Sequence, residues 1–175
     1  MRTIERKSGA GVLLAVLLCL SLGVLQGCYS LSGASLPPHL NRVAVPLFED
    51  ASQAGIAQFR ETITRKVTDK IESQSSLSIE SDPTRADALL TGLILSYTDE
   101  PSQLGSTTER AVTNRVTIVI KGEFEDRVKN TLLFSQSFIG FSDYSVGSFS
   151  AQQAAITNAM DQAADALFNR MVSNW

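Results

Sequence analysis

An apolar run from Val12 to Leu25, broken only by Ser21 and Gly23, sets the terms on which this chain can fold. Its fourteen residues fall short of the about 20 apolar residues that a bilayer-spanning helix needs. Arg2, Arg6 and Lys7 give it a basic start, offset only by Glu5, and the small residue Gly27 follows it. Basic start, short apolar stretch and small residue form the pattern of a secretory signal, which is removed and takes no part in the mature fold. An uncleaved membrane anchor is the weaker reading on length alone. The folded protein must therefore be built from what lies beyond residue 27.

Leu25-Gln26-Gly27-Cys28 resembles the bacterial lipobox, in which the chain is cut before a cysteine whose sulfur carries lipid. Gln26 is a less usual residue at its position. Gly27 is small enough for the peptidase, and Cys28 supplies the nucleophilic sulfur. The chain has two cysteines, and Cys19 lies in the segment to be removed, so the mature protein has no internal disulfide available. Lipidation accounts for the one left over, and several acyl chains on one residue anchor far more firmly than one. In lipoproteins like those of enteric bacteria an aspartate after the cysteine retains the protein at the inner membrane. Tyr29 stands there instead, which favours the outer membrane, facing the periplasm.

Removing 27 of 175 residues leaves 148, enough for one domain with a sizeable core. Losing Arg2, Arg6, Lys7 and Glu5 takes Lys+Arg from 15 to 12 and Asp+Glu from 18 to 17, a net charge of −5. That balance, with no basic run to neutralise phosphates, argues against nucleic acid as a partner. The organisation expected is a signal peptide over 1–27, a lipidated tether over 28–41 and one domain over 42–175.

The tether, rich in Ser and Gly with Pro37 and Pro38, leads into Arg42 to Phe48 (RVAVPLF), an alternating strand that Pro46 marks as an edge or a bulge. From Gly55 to about Glu72, Ile56, Phe59, Ile63, Val67 and Ile71 form one helical stripe, with a charged face that reads as solvated. Leu77 to Glu80 is a short strand closed by Asp82-Pro83. Ala88 to Tyr97 is apolar on both faces, as a buried central strand would be. Asp99 to Thr108 is polar, with Pro101 and Gly105, and reads as a loop.

Asn114 to Asp126 is the clearest strand, with Val116, Ile118, Ile120 and Phe124 on one side and Thr117, Lys121, Glu123 and Glu125 on the other. Arg127 to Asn130 is a hairpin turn, and Leu132 to Phe141 is the returning strand. Ser150 to about Ser173 is a second helix, N-capped by Ser150, with Ile156, Met160, Ala163, Leu167 and Met171 in its stripe. The order β-α-β-β-β-β-α predicts an α+β two-layer sandwich. Its two amphipathic helices would cover one face of a mostly antiparallel four- to five-stranded sheet.

Catalytic chemistry finds no support. The single histidine, His39, falls in the tether, which leaves neither a zinc set nor a nucleophilic triad in the folded part. Glu123, Glu125 and Asp126 read as solvated carboxylates of the hairpin. Ser145 to Ser150 (SVGSFS) lacks the lysine of a phosphate loop. No cofactor, metal or enzymatic activity is expected.

The mature sequence resembles the LptE family of outer-membrane lipopolysaccharide-assembly lipoproteins, in the form found in the Chlorobi and Bacteroidetes branch. The resemblance begins at Cys28-Tyr29-Ser30-Leu31-Ser32-Gly33-Ala34-Ser35-Leu36-Pro37-Pro38 and continues through Arg42-Val43-Ala44-Val45-Pro46-Leu47-Phe48-Glu49 and the helix with Phe59. It proceeds through Ala86-Asp87-Ala88-Leu89-Leu90-Thr91-Gly92, Asn114-Arg115-Val116-Thr117-Ile118 and the Phe138 to Tyr144 segment, and closes on Val172-Ser173-Asn174-Trp175. Each motif is weak by itself; their joint order over nearly the whole mature chain is specific.

The resemblance implies a non-enzymatic plug that sits in the LptD β-barrel, assists its assembly and binds lipopolysaccharide. A membrane attachment through lipidated (palmitate-bearing) Cys28 is implied with it. Family members contact lipopolysaccharide through basic residues near the loop before the long strand, which here correspond to Arg110 and Arg115, with Lys121 further along that strand. Cationic side chains suit the phosphates of lipid A. A periplasmic scaffold or secretion lipoprotein is the rival, because TolB N-terminal-like and CsgG-like proteins share the RVAVPLF-like strand, the helix and the Ala-Asp strand. The long Asn114 to Phe141 hairpin and the terminal Ser173-Asn174-Trp175 favour LptE. A small-ligand enzyme would need convergent polar groups in a deep pocket, and nothing in the sequence predicts one.

Overall fold

The structure, a computed structural model, describes residues 36–104 and 111–173. Cys28, Arg110, Trp175 and the signal segment lie outside the described residues. The elements in chain order are β1 (Arg42–Ala44), β2 (Glu49–Asp50), α1 (Phe59–Gln74), β3 (Ser78–Ile79), β4 (Ala88–Leu104), β5 (Ala111–Asp126), β6 (Thr131–Ser145) and α2 (Phe149–Val172).

The fold is α+β with two helices and a six-stranded sheet in the order β3-β1-β4-β5-β6, with β2 also paired to β4. The sheet is mixed rather than mostly antiparallel, and larger than the four to five strands expected. β4, β5 and β6 form an antiparallel meander, while the short β1, β2 and β3 join it in parallel. The strand expected over Arg42 to Phe48 is cut short: only Arg42–Ala44 is strand, and pairing resumes beyond it at Glu49. Val43 pairs with Ala88, but Glu49 pairs with Leu93, so one extra residue is inserted between the two short pairings. Pro46 lies in that gap, where its missing N–H costs no ladder bond.

Alternation decides which face is covered. Leu90 and Ile94 of β4, Val116, Ile118, Ile120 and Phe124 of β5, and Phe134 and Phe138 of β6 are buried on one side. Phe59, Ile63, Val67 and Ile71 of α1 and the Ala155, Ala159, Ala163 and Leu167 stripe of α2 pack onto them. Helix α2 approaches β6 so closely that a Cβ at Gly140 would lie 1.9 Å from the carbonyl oxygen of Ala159. The aromatic ring of Phe48 likewise lies directly over Gly92. Ion pairs Lys66–Asp161 and Lys70–Asp165 join the helices. Both pairs step four residues in the same sense, so the helices run parallel, and these lysines are engaged rather than solvated.

Three boundaries differ from expectation for physical reasons. Helix α1 starts at Phe59, not Gly55, because Gln53 and Gly55 both hold positive φ and the chain is irregular until Gln58. Helix α2 is capped by Ser148, whose side chain accepts from the N–H of Ala151, two residues ahead of the expected cap. Strand β4 runs on to Leu104 through the segment expected to be a loop. Asp99 points to the helix side there, accepting hydrogen bonds from Tyr144 Oη (2.7 Å), Gln152 Nε2 (2.7 Å) and Asn114 Nδ2 (3.0 Å). Burial raises the Asp99 pKa, and these three donors outweigh it and hold the carboxyl below its usual range.

The start of the domain also differs. Leu40 is buried and Leu36 packs against the core, so the chain joins the fold ahead of Arg42. His39 is part of the folded structure, contrary to its expected place in a free tether: its Nε2 lies 2.6 Å from Asp126 Oδ2. Asp126 is 1% exposed, which overturns the expectation of a solvated carboxylate at the turn. Glu123 and Glu125 are half-buried on the opposite face, as their alternation with Phe124 requires.

Candidate functional site: the open sheet face

Among the described residues no element covers the second face of the meander. The rows across β4, β5 and β6 follow from the register. Leu93, Lys121 and Ser137 form one row; Val119 and Ile139 the next, beside the β-bulge at Leu95 and Ser96; then Thr98, Thr117 and Phe141; then Glu100, Arg115 and Asp143. Ile139 is 60% exposed and Phe141 47%, with Leu95 and Leu47 also exposed. Charged rows thus flank an apolar middle. The sequence showed β4 as apolar on both sides; its outward leucines face this open surface instead of a second layer.

Both described cations of the expected lipopolysaccharide contact lie on this face, and both are paired. Arg115 donates to Asp143 through Nε (2.7 Å) and Nη2 (2.9 Å), a bidentate pair, with its guanidinium 4.8 Å from the centre of the Phe141 ring. The hydrogen bond from Arg115, opposed by modest desolvation, holds Asp143 below the usual carboxylate range. Lys121 Nζ lies 2.8 Å from Glu123 Oε1, which also accepts from Ser135 Oγ at 2.9 Å. The Lys121 and Ser135 hydrogen bonds lower the Glu123 pKa.

The structure does not gather the two cations. Six residues along one strand separate them by about 20 Å. Lys121 borders a cleft of about 390 Å³ that opens where the chain is interrupted at Pro46, lined also by Leu47, Glu49, Thr91, Leu93 and Glu123. Two carboxylates against one lysine make this cleft anionic, an unfavourable seat for a bare phosphate. Among the described residues no three His, Cys, Asp or Glu lie together as metal ligands.

The sequence reading missed two structural carboxylates. Asp87 accepts from the backbone N–H of Asn41 (3.1 Å) and Arg42 (3.0 Å) and from Arg42 Nη2 (3.1 Å), tying the start of β1 to the start of β4. Asp126 accepts from His39 and from the N–H of Lys129 at 2.9 Å. Asp87 sits inside the Ala86-Asp87-Ala88 motif, which was the available signal for it; Asp126 had none.

The comparisons with known proteins bear on both fold and family. Solved structures match over three quarters of the chain at low identity. A protein from Xanthomonas campestris superposes with a TM-score of 0.59 at 11% identity, covering 76% of this chain and 83% of its own. Lipoprotein B from Nitrosomonas europaea gives 0.54 at 11% identity, with the same coverage. PelC from Paraburkholderia phytofirmans, solved as a dodecamer, gives 0.52 at 8% identity over 77% and 90%. At such identities the likeness is one of fold. Among curated proteins none matches the chain by sequence. The family model for LptE, described as lipopolysaccharide-assembly, matches residues 40–171, from the buried Leu40 to the last buried residue of α2. This chain belongs to the LptE family of lipopolysaccharide-assembly lipoproteins, a family of non-enzymatic envelope proteins.

Proposed function

We propose that the protein is anchored to the outer membrane through lipid on Cys28. There it occupies and assists assembly of an LptD-type β-barrel, and contacts lipopolysaccharide as that lipid passes. The observation that carries the reading is the open face. It is a long, preformed sheet surface whose apolar middle, Leu95, Val119, Ile139 and Phe141, is flanked by Lys121 and Glu123 on one side and Arg115 and Asp143 on the other. A barrel interior is polar, and the charged rows of this face complement it. Contact with lipid A phosphates would require Arg115 and Lys121 to exchange Asp143 and Glu123 for phosphate oxygens. Both pairs are exposed and contribute only about 0–1 kcal/mol, so the exchange is inexpensive.

The test is a mild-detergent pull-down of tagged protein from its native membrane, with the wild type beside an Ile139→Arg variant. Ile139 is exposed, so the variant folds normally and its circular dichroism is unchanged. A stoichiometric barrel with the wild type and a several-fold loss with the variant are expected. Recovery of the wild type without a barrel, under conditions that preserve known barrel complexes, would sink the reading.

A further inference from the structure

The end of the domain at which the tether arrives has its own surface chemistry. Three turns meet there. The 37–40 turn is fixed by His39 on Asp126, and the 127–130 hairpin by the Lys129 N–H on the same carboxylate. The 82–85 turn is joined to the hairpin by Arg127 Nη1, 2.7 Å from the carbonyl oxygen of Pro83. Val128 stands at the hairpin tip 59% exposed, and Leu132, just past the turn, is 60% exposed. An exposed valine in a four-residue turn is not required by the turn, which obtains its positive φ from Asn130.

The charges at this end are asymmetric. Asp126 is buried against His39. Asp87 is engaged by Arg42, and Glu80 and Asp82 by Arg85. Beside Val128 stand two cations, Arg127, tied to the Pro83 carbonyl, and Lys129, against one carboxylate, Glu125, which pairs across the hairpin with Leu132. Apolar side chains at a protruding tip, bracketed by cations with long aliphatic stems, match the chemistry of a bilayer interface.

Chain length places that chemistry next to lipid. Eight Cα steps separate Cys28 from Leu36, a span of at most about 28 Å. Leu36 and Leu40 are seated on the core at this end. The opposite end, where Val112, Val146 and Phe149 are exposed, lies a full β5 strand away, roughly 50 Å for 16 residues. We infer that the tether end, led by Val128 and Leu132 and flanked by Arg127 and Lys129, docks onto the leaflet that holds the Cys28 acyl chains. The meander then points its far tip away from that leaflet. The inference rests on the proposed lipid anchor. It adds that the anchored domain has a fixed orientation instead of swinging on its tether.

The experiment uses the full lipidated protein in vesicles of phosphatidylethanolamine with a minority of phosphatidylglycerol, with and without brominated acyl chains. Trp175, the sole tryptophan, is first replaced (Trp175→Phe), and Val128→Trp or Val146→Trp is then introduced. Both sites are exposed turn positions, so neither substitution burdens the core. Strong quenching by brominated lipid and a blue shift for Val128→Trp, with neither for Val146→Trp, are expected. A Val128→Trp signal as unquenched as that of Val146→Trp overturns the orientation while leaving the anchor intact. Flotation of a Cys28→Ser protein with vesicles as efficiently as the wild type overturns the anchor on which the inference rests, whereas a clear loss of flotation is expected.

Discussion

Asp126 combines two opposing effects on one carboxyl. Burial at the mouth of the β5–β6 hairpin raises its pKa, and the N–H of Lys129, the His39 ring and the N–H of Val128 together lower it further than burial raises it. In the unfolded chain the same group titrates near about 3.9. Between the depressed folded value and that unfolded value, the unfolded state binds more protons, so stability rises with pH there. The contribution is complete above about pH 5 and disappears as pH falls through the folded value. Urea midpoints measured from pH 6 to pH 3 should therefore fall steeply for the wild type and less for Asp126→Asn. At pH 6 the variant should already be less stable by about 1–3 kcal/mol. Parallel curves for the two proteins would remove Asp126 from the acid response. Neither partner was legible in the sequence. His39 and Asp126 are 87 positions apart, one beside a proline pair and the other at a turn, and both surroundings suggest solvent.

At the scale of elements, the hydrophobic period exposed the covered face of the sheet and both helices, because alternation and the three-to-four spacing are local properties. It could not show what the polar positions do. Lys66 and Lys70 look like any solvated helix face until α2, nearly a hundred residues later, brings Asp161 and Asp165 against them. The Asp99 to Leu104 end of β4 was hidden for the same reason: Asp99 and Pro101 carry loop chemistry, and only Tyr144, Asn114 and Gln152 make an inward aspartate tolerable. The helix pairing has a clean test. Lys66→Glu should lower stability by about 1 kcal/mol, since it sets a like charge against Asp161 in a half-exposed pair. Adding Asp161→Lys should restore most of it at low salt, and high salt should shrink both effects. A double variant as unstable as the sum of the two single ones would show that the ion pair is a bystander.

At the scale of the whole molecule, the question is where the folding unit begins. Composition suggested a tether through Asn41, because Pro37, Pro38 and the serines resemble a linker, yet the packing begins earlier. Leu40 is 3% exposed among the core residues, and the His39 ring closes the Asp126 site from the same side. Backbone bonds from Ser78 to Asn41 and from Asp87 to Arg42 then hold the following residues to β3 and β4. A chain starting at Leu36 keeps all of these contacts and should unfold at the same urea concentration as the unlipidated Cys28→Ser protein. A chain starting at Arg42 loses the burial of Leu40, about 1.5–3 kcal/mol, and leaves a buried carboxylate short of a donor, about 1–3 kcal/mol more. Against a typical domain stability of about 5–15 kcal/mol, that loss should be plain as a lower midpoint with an unchanged slope. Equal midpoints for the two truncations would return residues 36–41 to the tether. They would also detach the tether from the hairpin end of the domain, and with it remove the fixed presentation of the open face to a partner.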